Sequence, residues 1–452
     1  MQLLTILGGG PAGLATAFYA RRAGIPFALY ERTPELGGLC RTLRCGVHLY
    51  DCGAHRFHDR DADITSDVRA LLRDDLIPVH SPSKICDRGR FIDFPPTPLN
   101  LLFSSIGPRE SIRIGFEVIR SRWREVPIVS FEDFAVSQFG KTLARRLLLN
   151  YSEKLWGLPS AQLSPDIATR RLQGMTLTSL FLELLYPKKK TAHIDGSFLY
   201  PRNGYGQIVD SLAAQLPSTS IKTDHEIVRI EADHRRIRRI HFAARPPIDT
   251  DSRIVVSTLP LTVMVKLMGD RISAAIREDA AALQFRHIRL FFLRLAQSQV
   301  SSNASIYIPD PKICIARLYE PKNRSVQMAP PDETSLVVEV PCFTGDAICE
   351  QGEEDLAARV IAELNEIGLI DARNVIEWRH HFLANAYPVY ALNYADRVKR
   401  ILDAMSEITN LEMLGRGGNF FYSHLHDQLR FGKDLIARFC AAGETELQAA
   451  GR

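Results

Sequence analysis

The feature that most constrains this 452-residue chain is Gly8-x-Gly10-x-x-Gly13, set between a short apolar run and a helical one. Gln2 to Leu7 fits a buried parallel strand. Ala12 to Ala23 has the apolar period of a helix and is closed by Gly24, and Phe27 to Tyr30 is a second strand ending at Glu31. In this β-turn-α-β unit Gly8 makes the tight turn, Gly10 lets the backbone approach a pyrophosphate, and Gly13 lets helix and strand pack closely. The free N–H groups and positive dipole of the helix N-terminus suit an anionic diphosphate. Glu31 is placed to accept the hydrogen bonds of a ribose diol. A dinucleotide-binding start is implied, with NAD and FAD both still open.

The next segment separates them. Glu31-Arg32 is followed by Glu35-Leu36-Gly37-Gly38 and then Arg41-Thr42. This resembles the extended flavoprotein fingerprint, in which a Gly-Gly turn and a following arginine line the flavin diphosphate. The resemblance implies FAD, held by Gly8, Gly10, Pro11, Ala12, Gly13, Glu31, Arg32, Gly38 and Arg41.

Bulk properties agree with an ordinary enzyme. The length suggests two or three domains, and 46% hydrophobic with 24% charged residues is a globular composition. A net charge of +4 gives no reason to expect a nucleic-acid partner. The eight cysteines form no C-x-x-C pair and no histidine cluster has zinc-ligand spacing, so no metal is expected. They read as reduced thiols, mostly core filler. The apolar amino terminus imitates a signal peptide, but Gly8-Gly9-Gly10-Pro11 interrupts it and no basic stretch precedes it. No long uncharged apolar stretch occurs, so the expectation is a soluble, cytoplasmic protein without a membrane span.

Further along, residues around 60–80 and 108–125 read as helices, with a hairpin-like strand Lys84 to Phe94 between them. Residues 130–190 are mainly helical. Phe198 to Pro201, Ser220 to Lys222, Glu226 to Ala232, Arg238 to Phe242 and Ile254 to Thr258 read as strands, and Gly206 to Leu216 as a helix. Residues 286–342 are rich in β segments. Glu353 to Ile367 and Gly432 to Ala442 are the last helices. The expected fold is α/β, with a Rossmann-type, GR2-like FAD-binding domain from residues 1–80, 195–260 and 405–452. A mainly helical inserted domain would cover 100–190, and a mixed β-sheet substrate domain 80–100 plus 265–400.

Several segments together resemble UDP-galactopyranose mutase and its protoporphyrinogen-oxidase-like relatives. They are Asp51-Cys52-Gly53-Ala54-His55-Arg56-Phe57-His58, Tyr151-Ser152-Glu153-Lys154-Leu155-Trp156-Gly157 and Tyr200-Pro201-Arg202-x-Gly204-Tyr205-Gly206. Ala386-Tyr387-Pro388-Val389 and Gly415-Arg416-Gly417-Gly418, with Tyr422 and His426-Asp427, complete the set. The resemblance implies that Gly53, Ala54 and His55 lie beside the flavin, that Gly415 and Arg416 close over it, and that His426 and Asp427 precede a helix aimed at it.

It also implies a substrate site. His55 and His58 either present imidazoles to the flavin or only pack. Trp156 either stacks on a sugar or flavin plane or is a core aromatic. Arg317 matches the position that binds the substrate diphosphate, a group its planar fork suits, or is an ion-pair residue. Tyr200 and Tyr387 complete the expected substrate contacts. The chain departs from the mutases at their second diphosphate arginine, where it has Gly174; Arg170 and Arg171, one helical turn earlier, are the substitutes. A mutase tyrosine is also replaced near Val340.

The activity implied is an isomerisation of a nucleotide sugar or related glycan precursor on reduced FAD, with no net redox change and with Trp156, Arg317 and Tyr387 as site residues. The alternative is an oxidase or dehydrogenase passing hydride from substrate to flavin. An apolar segment, Pro95 to Ile106, either lines a greasy pocket or packs. The partner in either case is a small molecule, a nucleotide diphosphate-sugar in the first, and a homodimer is left open.

Overall fold

The computed structural model describes residues 3–94, 106–122, 127–171, 197–233 and 235–450. Strand β1 (Leu3–Leu7) is followed by helix α1 (Pro11–Arg22) and strand β2 (Phe27–Tyr30), the unit expected from the glycine pattern. β1 lies at the centre of a five-stranded sheet, with Arg253–Ser257 and Leu411–Met413 on one side and β2 and Ile221–Lys222 on the other. Every pairing in it is parallel. Central parallel strands are covered on both faces, which explains why β1 reads as a continuous apolar run rather than an alternating one. On one face α1 packs against the last helix, Leu425–Ala450.

A seven-stranded mixed sheet stands beside it, in the order Val375–Pro388, Phe285–Leu295, Thr334–Cys342, Arg317–Tyr319, Ser305–Tyr307, Ser83–Asp87, Arg90–Phe94. Its pairings are antiparallel except Ser305–Tyr307 with Ser83–Asp87. Every residue of Thr334–Cys342 is buried. A carboxylate inside such a strand must be answered by a partner, and Glu339 is that carboxylate.

Between residues 131 and 171 the described chain is mainly helical. Phe131–Phe139 begins with a capping box in which Ser130 and Asp133 satisfy each other's backbone N–H groups. Ala144–Leu149 is π-helical and runs into Asn150–Trp156, which Gly157 ends with a left-handed φ of 75°. Such wide turns re-aim the side chains around them, and Leu147, Leu148, Tyr151 and Ser152 all face one cavity.

Several sequence expectations need correction. The helix expected over 60–80 ends at Leu72, and Leu76–His80 is instead a strand paired with Ser197–Pro201. The last helix starts at Leu425, so His426 and Asp427 lie in its first turn rather than before it. The long edge strand Val375–Pro388 has no clear sequence signature, because two register shifts and a partly exposed face break its alternation. The apolar segment Pro95 to Ile106 falls, apart from Ile106, outside the described residues. Within those residues no helix is long and apolar enough to cross a membrane. All eight cysteines are free.

Candidate active site

The turn after β1 opens onto a cavity of about 740 Å³ whose walls come from both large sheets. Gly8 has φ +103°, and a Cβ at Gly13 would lie 1.9 Å from the Gly8 carbonyl oxygen. At Gly10 the reverse holds: nothing lies within 4 Å of where a Cβ would sit. One glycine thus permits contact within the protein, and the other leaves room for a guest. Pro11 starts α1 and no side chain caps it, so its first N–H groups face the cavity.

Glu31 accepts from the Gly9 N–H at 2.7 Å through one oxygen and from the Thr33 N–H and hydroxyl, at 3.0 and 2.9 Å, through the other. The carboxylate is therefore fixed at the cavity edge, with lone pairs to spare for a diol. Arg32, Gly38 and Arg41 line the same edge. Arg41 is steadied by the Gly38 carbonyl at 3.0 Å and by an ion pair with Glu35.

Gly53, Ala54, His55 and His58 form the next stretch of wall. The His55 Nε2–H donates to the Leu39 carbonyl at 2.9 Å, and the ring stacks on Tyr205. Burial, with the nearby arginines, pulls its pKa down to about 3, so it is a neutral imidazole. His58 meets His424 edge to face, with ring centroids 5.9 Å apart.

Opposite the glycine turn, Arg416 and Gly415 line the cavity. The Arg416 guanidinium lies 5.0 Å from the Tyr387 ring centroid and 4.5 Å from that of Tyr422. Its Nε and one terminal nitrogen are buried with no hydrogen-bond partner. Buried polar groups are rarely left so, and this one faces the space a cofactor needs. An open-faced glycine turn, an uncapped helix N-terminus and an unmatched arginine together fit a flavin dinucleotide.

The far wall belongs to the mixed sheet. Arg317 pairs with Glu339 at 2.7 Å and donates to the Tyr387 hydroxyl at 3.2 Å. Glu339, whose side chain is 2% exposed, also accepts from the Ala54 N–H at 3.1 Å. Burial opposes the charge on Arg317, but the carboxylate outweighs it and holds the guanidinium protonated. Glu339 thus ties the Gly53–His55 loop to the wall of Arg317 and Tyr387 and offsets the charge on Arg317. It adjoins Val340, near which the resemblance implies that a mutase tyrosine is replaced. A lone acid in Ser-Leu-Val-Val-Glu-Val was the signal that could have revealed it.

Other expected residues lie elsewhere. Trp156 is 1% exposed and does not line the cavity; it stacks on Tyr390 and backs Tyr387 and Tyr422 edge-on. Tyr200 is fully buried, and its hydroxyl donates to Asp51. That carboxylate also accepts from the Thr42 hydroxyl and the Tyr205 N–H, so Tyr200 braces the end of strand His48–Asp51 and does not line the cavity. His426 and Asp427 stand behind His424, which does face the cavity. The side chains of Arg170 and Arg171, and Gly174, lie outside the described residues. Arg56, absent from the expected set, does line the cavity.

Comparison with known proteins places this geometry. Over 98% of the chain and 94% of the other, the fold matches the solved structure of reduced UDP-galactopyranose mutase with a TM-score of 0.84 and 19% identity. A putative protoporphyrinogen oxidase from Exiguobacterium sp. 255-15 matches over 97% and 98% with a TM-score of 0.76 and 19% identity. Putrescine oxidase follows at 0.66 and 14% identity, over 98% and 99%. Ferredoxin–NADP reductase 2 of Shouchella clausii is 46% identical over 48 residues, 11% of this chain and 14% of the reductase. The chain therefore spans about a seventh of that relative's length. The sequence pattern of the flavin-containing amine oxidoreductases matches residues 11–407. The chain belongs to this family, and FAD is its cofactor.

Proposed function

We propose that this flavoenzyme isomerises an anionic nucleotide sugar or related glycan precursor. The observation that carries the reading is the wall facing the flavin cradle, where Arg317 and Tyr387 present a guanidinium and a phenol joined at 3.2 Å. Two directed donors of this kind suit phosphoryl oxygens. The likeness to a mutase solved in its reduced form supports the choice of chemistry.

Bound FAD supplies a reactive N5 and a two-electron store. The chain's own groups do the rest. Tyr387 and Arg317 orient the leaving group, and Arg416 places positive charge beside it. His55, neutral and fixed on the Leu39 carbonyl, adds no charge of its own at that wall. The test is anaerobic: dithionite-reduced protein is given UDP-galactopyranose, and ring-contracted product should form without reoxidation of the flavin. Arg317→Ala should weaken UDP binding while FAD stays bound; unchanged affinity counts against the assignment.

A second reading, oxidation of a less polar substrate, draws on Glu339 and on the apolar wall of Phe94, Phe131, Phe139 and Leu147. Bleaching of the oxidised flavin by a substrate, with no other reductant present, decides for it.

A further inference from the structure

Glu339 offsets the charge on Arg317, so an anionic substrate calls for further positive charge on the wall. Arg56 is the candidate. One of its terminal nitrogens donates to the Ser83 hydroxyl at 2.6 Å and the Ser305 hydroxyl at 3.3 Å. The guanidinium lies 5.0 Å from the Phe198 ring centroid. Among the described residues no carboxylate pairs with it. Burial lowers its pKa to about 10, with Tyr307 opposing the shift and the cations Arg324 and Arg317 adding to it, which leaves it protonated at neutral pH.

The surroundings are built rather than incidental. Ser83 and Ser305 are register partners on two adjacent parallel strands, so their hydroxyls stand side by side. Tyr307, two residues beyond Ser305, shares its face. Arg56, Ser83 and Tyr307 all line the cavity. An arginine has five N–H donors, and two neutral hydroxyls satisfy only one nitrogen. A partly buried cation held this way lacks an anion, and desolvation makes that costly.

We propose that Arg56, with Ser83 and Tyr307, forms an oxyanion subsite that takes a phosphoryl or carboxylate group of the substrate. The assignment rests on the reading that the cleft holds an anionic substrate, but it commits to neither the nucleotide nor the isomerisation.

The FAD-loaded protein is titrated with UDP, inorganic pyrophosphate and succinate, and binding is followed by the flavin difference spectrum and by calorimetry. Arg56→Gln should weaken whichever anion binds by about 10- to 100-fold, the span of a charge-assisted hydrogen bond. Arg56→Lys should recover part of this, because it keeps the charge and loses the fork. Ser83→Ala should fall between it and the wild type. Retained FAD absorbance shows that the fold is intact; if Arg56→Gln loses FAD, Arg56→Lys and Ser83→Ala decide. Wild-type affinity in these variants, or no binding of any of the three anions to the wild type, overturns the subsite. Succinate binding that depends on Arg56, without UDP binding, keeps the subsite and removes the nucleotide-sugar reading. UDP binding indifferent to Arg56 does the reverse.

Discussion

The two sides of the cavity are built on different principles. The cofactor side starts from backbone, a glycine turn and an uncapped helix, with a carboxylate one strand over, all within the first 31 residues. The opposite side, where we place the substrate, is side chains gathered from distant segments, in which Arg56, Arg317, Glu339 and Tyr387 take their meaning from one another. A backbone site tolerates no substitution at its contact glycine and varies little in what it binds. A side-chain site changes its charge whenever one partner changes.

The sharpest way to break the comparison is Gly13→Ala. Its Cβ would sit 1.9 Å from the Gly8 carbonyl, and both atoms belong to the framework of the βαβ unit. Neither can yield as a flexible side chain would. The expected cost is on the order of 4–5 kcal/mol, at the upper end for a point substitution, with loss of bound flavin. Thermal unfolding and flavin absorbance of the purified variant check it; a yellow protein of ordinary stability would show that the turn adapts.

The substrate side should respond differently. Glu339→Ala leaves the Arg317 guanidinium buried without its carboxylate, at a cost of about 3 kcal/mol. It also frees the Ala54 N–H. Glu339→Gln keeps an acceptor for that N–H, removes the charge and is the informative variant: stability falls less, while affinity for UDP or pyrophosphate rises because Arg317 is no longer neutralised. Equal anion affinity in Glu339→Gln and the wild type would mean that the pair is structural and that the wall does not meet the anion.

This asymmetry also governs what the sequence revealed. The cradle was legible because backbone geometry is written in contiguous residues: Gly8, Gly10, Gly13 and Glu31 each have one reading in a βαβ context. Strand and helix limits there fell within a residue or two, as with Phe27–Tyr30. The wall was legible only in part. Arg317 and Tyr387 were found through motif resemblance, but nothing local says that residue 339 lies opposite residue 317; cross-strand register sets that. Trp156 and Tyr200 show the converse error. Both sit in motifs beside the site, and both face inward to support it, because a large aromatic is as useful behind a binding tyrosine as in front of one. Register and facing are tertiary facts, and local pattern does not carry them.

The smallest effect expected is a pH dependence on the cofactor side. His55 is held neutral, with a folded pKa of about 3 against an unfolded value near 6.5. Between those values the unfolded chain binds a proton that the folded one refuses. Stability therefore falls as pH drops from about 6.5 toward 3, and is unaffected by this group above that window. His424, also pulled down to about 3 by burial and its charged neighbours, adds to the same slope. His55→Gln preserves a donor for the Leu39 carbonyl but has nothing to titrate. Its melting temperature should match the wild type's trend above pH 7 and decline less between pH 6.5 and 5. If both proteins lose the same amount over that interval, His55 titrates freely, and the wall of Gly53, Ala54 and His55 is more open to water than its packing on Tyr205 implies.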